Sequence, residues 1–202
     1  MWEFKEFWPK SDTFYGVFNY INNHYSEEEK PTATSPNHTI DLSETLYKPH
    51  SSTIAYFDRG RGDLYFDIDM KDFKIIPTHY DMETMVGTSP PVKWSIYGFN
   101  DENNAFLLDE REKMDMCENR QDYPQQCGNR AKIQFSFMNQ LGPFRYIRFI
   151  SHLDRYNVYI SNSEYSYFRL GGFELYGQIC KGPVCRIPKL TLIIFLTHLN
   201  KT

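Results

Sequence analysis

A chain of 202 residues fits one domain, or one domain with tails, because domains usually hold about 100–200 residues. Apolar residues make up 41% and aromatics 17%, with 16 Phe and 15 Tyr, which excludes a disordered polymer. A formal net charge of −4 leaves no basic field for a phosphate backbone or an anionic membrane, so nucleic acid is excluded as an expected partner.

The first twelve residues read as an N-terminal tail. They lack the basic segment, apolar stretch and small-residue cleavage site of a secretory signal, so a cytoplasmic location is expected. Free thiols are then expected at Cys117, Cys127, Cys180 and Cys185, whose spacing does not repeat the paired pattern of a structural zinc site. Secretion would instead favour local Cys117–Cys127 and Cys180–Cys185 disulfides.

Ser11 and Asp12 suit an N-cap, and Phe14, Val17, Phe18 and Ile21 recur at i, i+3, i+4 and i+7. That spacing predicts one amphipathic helix over about residues 13–23. The polar stretch that follows, with Glu27, Glu28 and Glu29, reads as a solvated loop before the sheet begins at about residue 39.

From there short apolar or alternating runs are separated by turn residues: 64–69, 75–84, 92–97, 106–108, 131–137, 146–150 and 173–176. Only four Ala are present, and aromatic and β-branched residues take the place of good helix formers. The fold class is therefore all-β, a sandwich or barrel of mainly antiparallel strands. Leu64, Phe66 and Ile68 share one face of their strand, with Tyr65, Asp67 and Asp69 on the other. Ile133, Phe135 and Phe137 point inward by the same rule, and Arg145 and Ile147 lie opposite Tyr146 and Arg148. Residues 109–130 carry charge and amides with little apolar periodicity and read as a long insertion loop.

The ordered set Gly16-Val-Phe-Asn-Tyr-Ile21, Asp67-Ile-Asp69, Ile76-Pro-Thr-His-Tyr80, Trp94-Ser-Ile-Tyr-Gly-Phe-Asn-Asp101, Leu108-Asp109, Phe144-Arg-Tyr-Ile-Arg148, Asn157 and Gly172-Phe-Glu-Leu-Tyr-Gly177 resembles the discoidin domains, also called coagulation factor 5/8 type C domains. It looks most like their intracellular branch and spans residues 13–179, leaving 180–202 as an apolar C-terminal tail. The resemblance implies a galactose-binding-like jelly-roll β-sandwich with a short N-terminal helix. Trp94, Phe135, Tyr146, Ile147, Phe173 and Leu175 would be packing residues, and Gly98 would serve the hairpin turn before Asn100 and Asp101. Phe99 and Phe106 depart from the usual Ser and Trp, and no N-terminal cysteine is present to pair with Cys180.

Ligands of this fold meet loops at one end of the sandwich, which maps to 56–63, 86–91 and 151–157. Tyr56 and Phe57 supply aromatic faces, and Arg59, Arg61, His152, Arg155 and Asn157 supply planar polar groups for hydroxyls. These types suit a glycan or a protein partner. They equally suit an ordinary loop whose arginines pair with Asp58, Asp63 and Asp154 in solvent. The function expected is a non-catalytic binding or scaffolding module, with no cofactor and no metal. The rival is a hydrolase using carboxylate pairs from Asp67, Asp69, Asp81 and Glu83, although no activated nucleophile or phosphate loop accompanies them. Residues 190–199 are strongly apolar but too short to span a bilayer, which needs about 20. They are expected to pack on the sandwich or to make a hydrophobic contact elsewhere.

Overall fold

The computed structural model describes residues 5–9, 15–35, 46, 55–58, 64–84, 91, 93–112, 120–121, 126–127, 132–152, 165–168 and 170–182. The expected architecture holds: among the described residues two antiparallel sheets face one another in a jelly-roll β-sandwich, and a short helix docks on it. One sheet has four strands, in the order β1 (Lys5–Phe7), β13 (Gly172–Lys181), β5 (Phe73–Glu83), β10 (Lys132–Ser136). The other has five, in the order β2 (Thr32–Thr34), β4 (Leu64–Asp69), β11 (Tyr146–Ser151), β6 (Trp94–Phe99), β7 (Phe106–Arg111). Two small ribbons pair β3 (Ala55–Asp58) with β12 (Tyr165–Phe168), and β8 (Arg120–Gln121) with β9 (Gln126–Cys127). Successive long strands cross between the two main sheets, as β4 to β5 and β10 to β11 do, so the chain buries both inner faces as it proceeds.

Alternation explains the core. Phe66 and Ile68 of β4, Ile147 and Phe149 of β11 and Ile96 of β6 meet Tyr80 and Met82 of β5 and Phe173 and Leu175 of β13. Phe66 stacks on Phe149 at 5.2 Å, and Phe173 meets both rings edge-on. Phe135 and Phe137 are buried with them, while Ile133 is only partly buried against the core.

Several expectations change. The segment read as an N-terminal tail supplies β1, which pairs Lys5–Phe7 with Gly177–Ile179. The sheet begins before residue 39, because Thr32–Thr34 pairs with Asp67–Asp69. The acidic run forms a 3-10 turn, Glu27–Glu29, in which Ser26 and Glu29 cap each other. Lys181 on β13 pairs with Glu29 and holds its carboxyl down at about 2.

The helix α1 runs over Val17–His24, with Val17, Phe18 and Ile21 buried as their spacing predicts. Its N-cap is Gly16, not Ser11 or Asp12, and those two lie outside the described residues. Gly98 does not form the hairpin turn. It lies within β6, where a Cβ would stand 2.4 Å from the Phe144 ring, so the ring occupies the place of the missing side chain. The turn is made by Asp101, whose side chain accepts the Asn103 N–H and whose carbonyl accepts the Asn104 N–H.

Asp109 is not the start of an insertion loop, since β7 continues to Arg111 and buries it. Tyr146 is half-buried on the outer face of its sheet, stacked on Phe99 at 5.2 Å. Arg145 leaves the alternation expected of it, because it precedes β11 and turns to Asp69 on the outer face. Cys180 is disulfide-bonded, which corrects the free-thiol expectation for that residue.

On that outer face Asp67 and Asp69 are each held by a two-point arginine grip, Arg148 at 2.6 and 2.6 Å and Arg145 at 2.9 and 3.0 Å. Arg148 also lies over Tyr65 and Phe99, and Arg145 over Tyr146, so guanidinium and aromatic planes interleave along the strands. Burial pushes Asp69 up, but its bonds to Arg145 and to the Lys71 N–H outweigh this and leave it below its usual range. A depressed carboxyl contributes stability above its unfolded value of 3.8 that is lost as pH falls through the folded value. Both partners are partly exposed, so Asp69→Asn should cost only about 0–1 kcal/mol by urea denaturation at neutral pH. The difference from wild type should vanish in acid.

Candidate functional site

The registers define one end of the sandwich. Ser151 opposes Leu64 on one side and Trp94 on the other, and Trp94 opposes Arg111. In the facing sheet Glu83 opposes both Gly172 and Lys132. A short turn joins β4 to β5 at the opposite end, so the start of β4 and the end of β5 share this one. The connections 59–63, 84–93, 112–131 and 152–171 therefore all leave from the same end. Of the segments expected to carry the site, Ser151 and His152 lie at this end among the described residues.

Among the candidate side chains, His152 is described. It follows β11, its backbone N–H donates to the Lys93 carbonyl at 2.9 Å, and its Nε2 lies 2.7 Å from the Ser95 hydroxyl. Ser95 is buried, so the residue is held at two points, ring and backbone, where β6 and β11 reach the loop end. Tyr56 and Phe57 lie on β3, opposite Tyr167 and Ser166 of β12, so the backbone brings two tyrosine positions side by side. Arg59, Arg61, Arg155 and Asn157 lie outside the described residues, as does 86–90.

At the same end Ser151 projects inward, and its buried hydroxyl has no hydrogen-bond partner among the described residues. Beside it runs a polar chain from core to surface. The Trp94 indole N–H donates to the Tyr80 hydroxyl at 2.9 Å, and that hydroxyl donates to Asp109 Oδ2 at 2.6 Å. Arg111 Nε donates to the same oxygen at 2.9 Å, and its Nη2 donates to the Ser136 carbonyl at 2.7 Å. Burial and the Asp109 carboxylate push the Tyr80 hydroxyl up, so it stays protonated throughout the ordinary pH range. This chain ties β6, β5, β7 and β10 together beneath the loops. Sequence reasoning missed it, although Leu108-Asp109-Glu-Arg111 carried a signal: an acid and a base two apart in a strand share a face.

The carboxylate pairs proposed for hydrolysis do not converge. Asp67 and Asp69 are engaged by arginines, and Asp81 is buried, accepting from the Tyr176 hydroxyl at 2.6 Å and pairing with Lys132 at 2.8 Å. Glu83 is buried as well. His79 lies on the sheet surface against Trp8, where burial lowers its basicity. Among the described residues no group of three or more His, Cys, Asp or Glu is placed to hold a metal ion. No helix among them is long and apolar enough to cross a membrane, and residues 190–199 lie outside the described set.

No family model matches the chain, and no curated protein matches it. Among solved structures it is similar to CpGH89CBM32-6 produced by Clostridium perfringens, at 12% identity and a TM-score of 0.49, over 75% of this chain and 95% of that one. It is also similar to chitosan-binding module 1 of a chitosanase/glucanase from Paenibacillus sp. IK-5, at 14% identity and a TM-score of 0.48, over 72% and 94% of the two chains. A third is the CBM32 of AlyQ in complex with 4,5-unsaturated mannuronic acid, at 16% identity and a TM-score of 0.46, over 71% and 92%. These likenesses are weak, and the fold rests on strand order and register instead.

Proposed function

We propose that this protein is a non-catalytic binding module that takes carbohydrate at the loop end of its sandwich. The observation that supports this reading most is the shared register of Leu64, Ser151 and Trp94, from which the segments bearing all the candidate residues depart. His152, pinned by Ser95 and Lys93, offers a fixed polar group there without mobile side-chain entropy to lose. Tyr56, Phe57, Arg59, Arg61, Arg155 and Asn157 are the partners it would work with, rings against the C–H faces of a sugar and planar groups against its hydroxyls. The enzyme reading loses ground because each carboxylate offered for it is buried or held by a base. The disulfide at Cys180 favours an oxidising compartment over the cytoplasm, where such bonds are rare.

A glycan array with the full chain tests the proposal. Binding to at least one glycan is expected, weakened tenfold or more by Arg59→Ala or Arg155→Ala and by His152→Ala, with thermal stability unchanged in the first two. A blank array together with a specific co-purifying protein would replace the carbohydrate reading with an adaptor role.

A further inference from the structure

The helix α1 has no N-cap side chain of its own. Gly16 stands at that position and no acidic residue lies in the first turn, so its orphan N–H groups need an acceptor from elsewhere. Glu174 of β13, more than 150 positions away in the chain, provides it. Its Oε1 accepts the Phe18 N–H at 2.8 Å and the Leu175 N–H at 2.9 Å, and its Oε2 accepts the Asn19 N–H at 3.2 Å. The contact is close: a Cβ on Gly16 would stand 2.3 Å from the Leu175 carbonyl and 2.6 Å from Glu174 Cδ. The helix therefore sits directly on the carboxyl group, which is 1% exposed.

No cation among the described residues pairs with Glu174. Asp81 faces it in register on β5, with the Tyr176 hydroxyl and the Lys132 ammonium both committed to Asp81. Glu83, also buried, follows on the same strand, and α1 presents only backbone N–H groups to the carboxyl. A charge on Glu174 would face the Asp81 carboxyl across one strand spacing. Burial pushes the Glu174 carboxyl up to about 8, against the pull of the N–H bonds.

We propose that Glu174 is a pH-responsive latch for the N-terminal helix, which holds α1 firmly on β13 while its carboxyl is protonated and lets it open more readily once the carboxyl ionises. The sign follows from linkage. With α1 lifted, the carboxyl is solvated and returns to its ordinary 4.5, whereas burial in the docked state pushes it up to about 8. Docking is then strongest below pH 4.5 and weakens up to pH 8, by on the order of a thousandfold in the opening equilibrium.

Hydrogen exchange of the Phe18 and Asn19 amides in the full chain, followed from pH 5 to 9 and corrected for intrinsic rates, tests this. Protection should fall with rising pH in the wild type and stay level in Glu174→Gln, which keeps shape and acceptor oxygen without the charge. Protection that is level or rises with pH in the wild type, or the same slope in Glu174→Gln, overturns the latch. Should Glu174→Gln not fold, the carboxyl carbon shift of Glu174 in the wild type decides. A midpoint above the solvated value supports the proposal, and a midpoint at or below it overturns it.

Discussion

Gly177→Ala is expected to destabilise the protein by about 2–5 kcal/mol, enough to abolish folding if the domain is marginal. Gly177 has a φ of 140° at the point where the register of β13 on β5 slips between Tyr176 and Gly177. A Cβ there would lie 2.1 Å from the Ile76 carbonyl oxygen and 3.0 Å from both Pro77 Cα and Thr78 N. All three are backbone atoms of the neighbouring central strand, so no flexible side chain can yield. The bulge also lets β1 pair with the far half of β13, with Phe7 opposite Gly177, so the N-terminal strand should loosen as well. Urea denaturation gives the stability, and exchange of the β1 amides reports the loss of the edge strand. A cost below about 1 kcal/mol would show that the bulge relaxes and that the close approach is not required.

Tyr80→Phe should cost about 2–4 kcal/mol, because it removes one oxygen and strands two buried groups. The Trp94 indole N–H loses its acceptor, and Asp109 keeps Arg111 alone while its Oδ1 already has no hydrogen-bond partner. Phenylalanine fills the same space against Phe135 and Phe137, so the loss reports the hydroxyl and not a cavity. In a double-mutant cycle with Trp94→Phe, the pair should cost at least about 1 kcal/mol less than the sum, since the second change removes the donor left stranded by the first. Strict additivity would mean that the indole N–H finds another acceptor. Because this chain underlies β6 and β7 at the loop end, the same variant should weaken any ligand bound there without removing a contact to it.

The fold class and the core were legible in the amino-acid pattern. Side chains alternate across a strand whatever its neighbours, so Phe66, Ile68, Ile147, Phe149, Phe173 and Leu175 declared the inner faces before any pairing was known. The helix spacing of Val17, Phe18 and Ile21 worked for the same reason, because it is local. The tertiary structure alone decided which strands lie opposite which. Alternation says in or out, but not that Lys5–Phe7 pairs with Gly177–Ile179, nor that Asp67 meets Arg148 across one strand spacing. Glu174 read as a polar position in a strand, and became the cap of a helix only when β13 passed beneath Gly16. Gly98 suggested a turn because glycine often marks one, yet its role is to admit the Phe144 ring from a distant segment. For the candidate site the sequence offers residue types in expected loops, but not the grip of Ser95 on His152. Those two residues lie 57 positions apart and are joined only by the register of β11 on β6, a free-energy choice among whole sheets that no local pattern encodes.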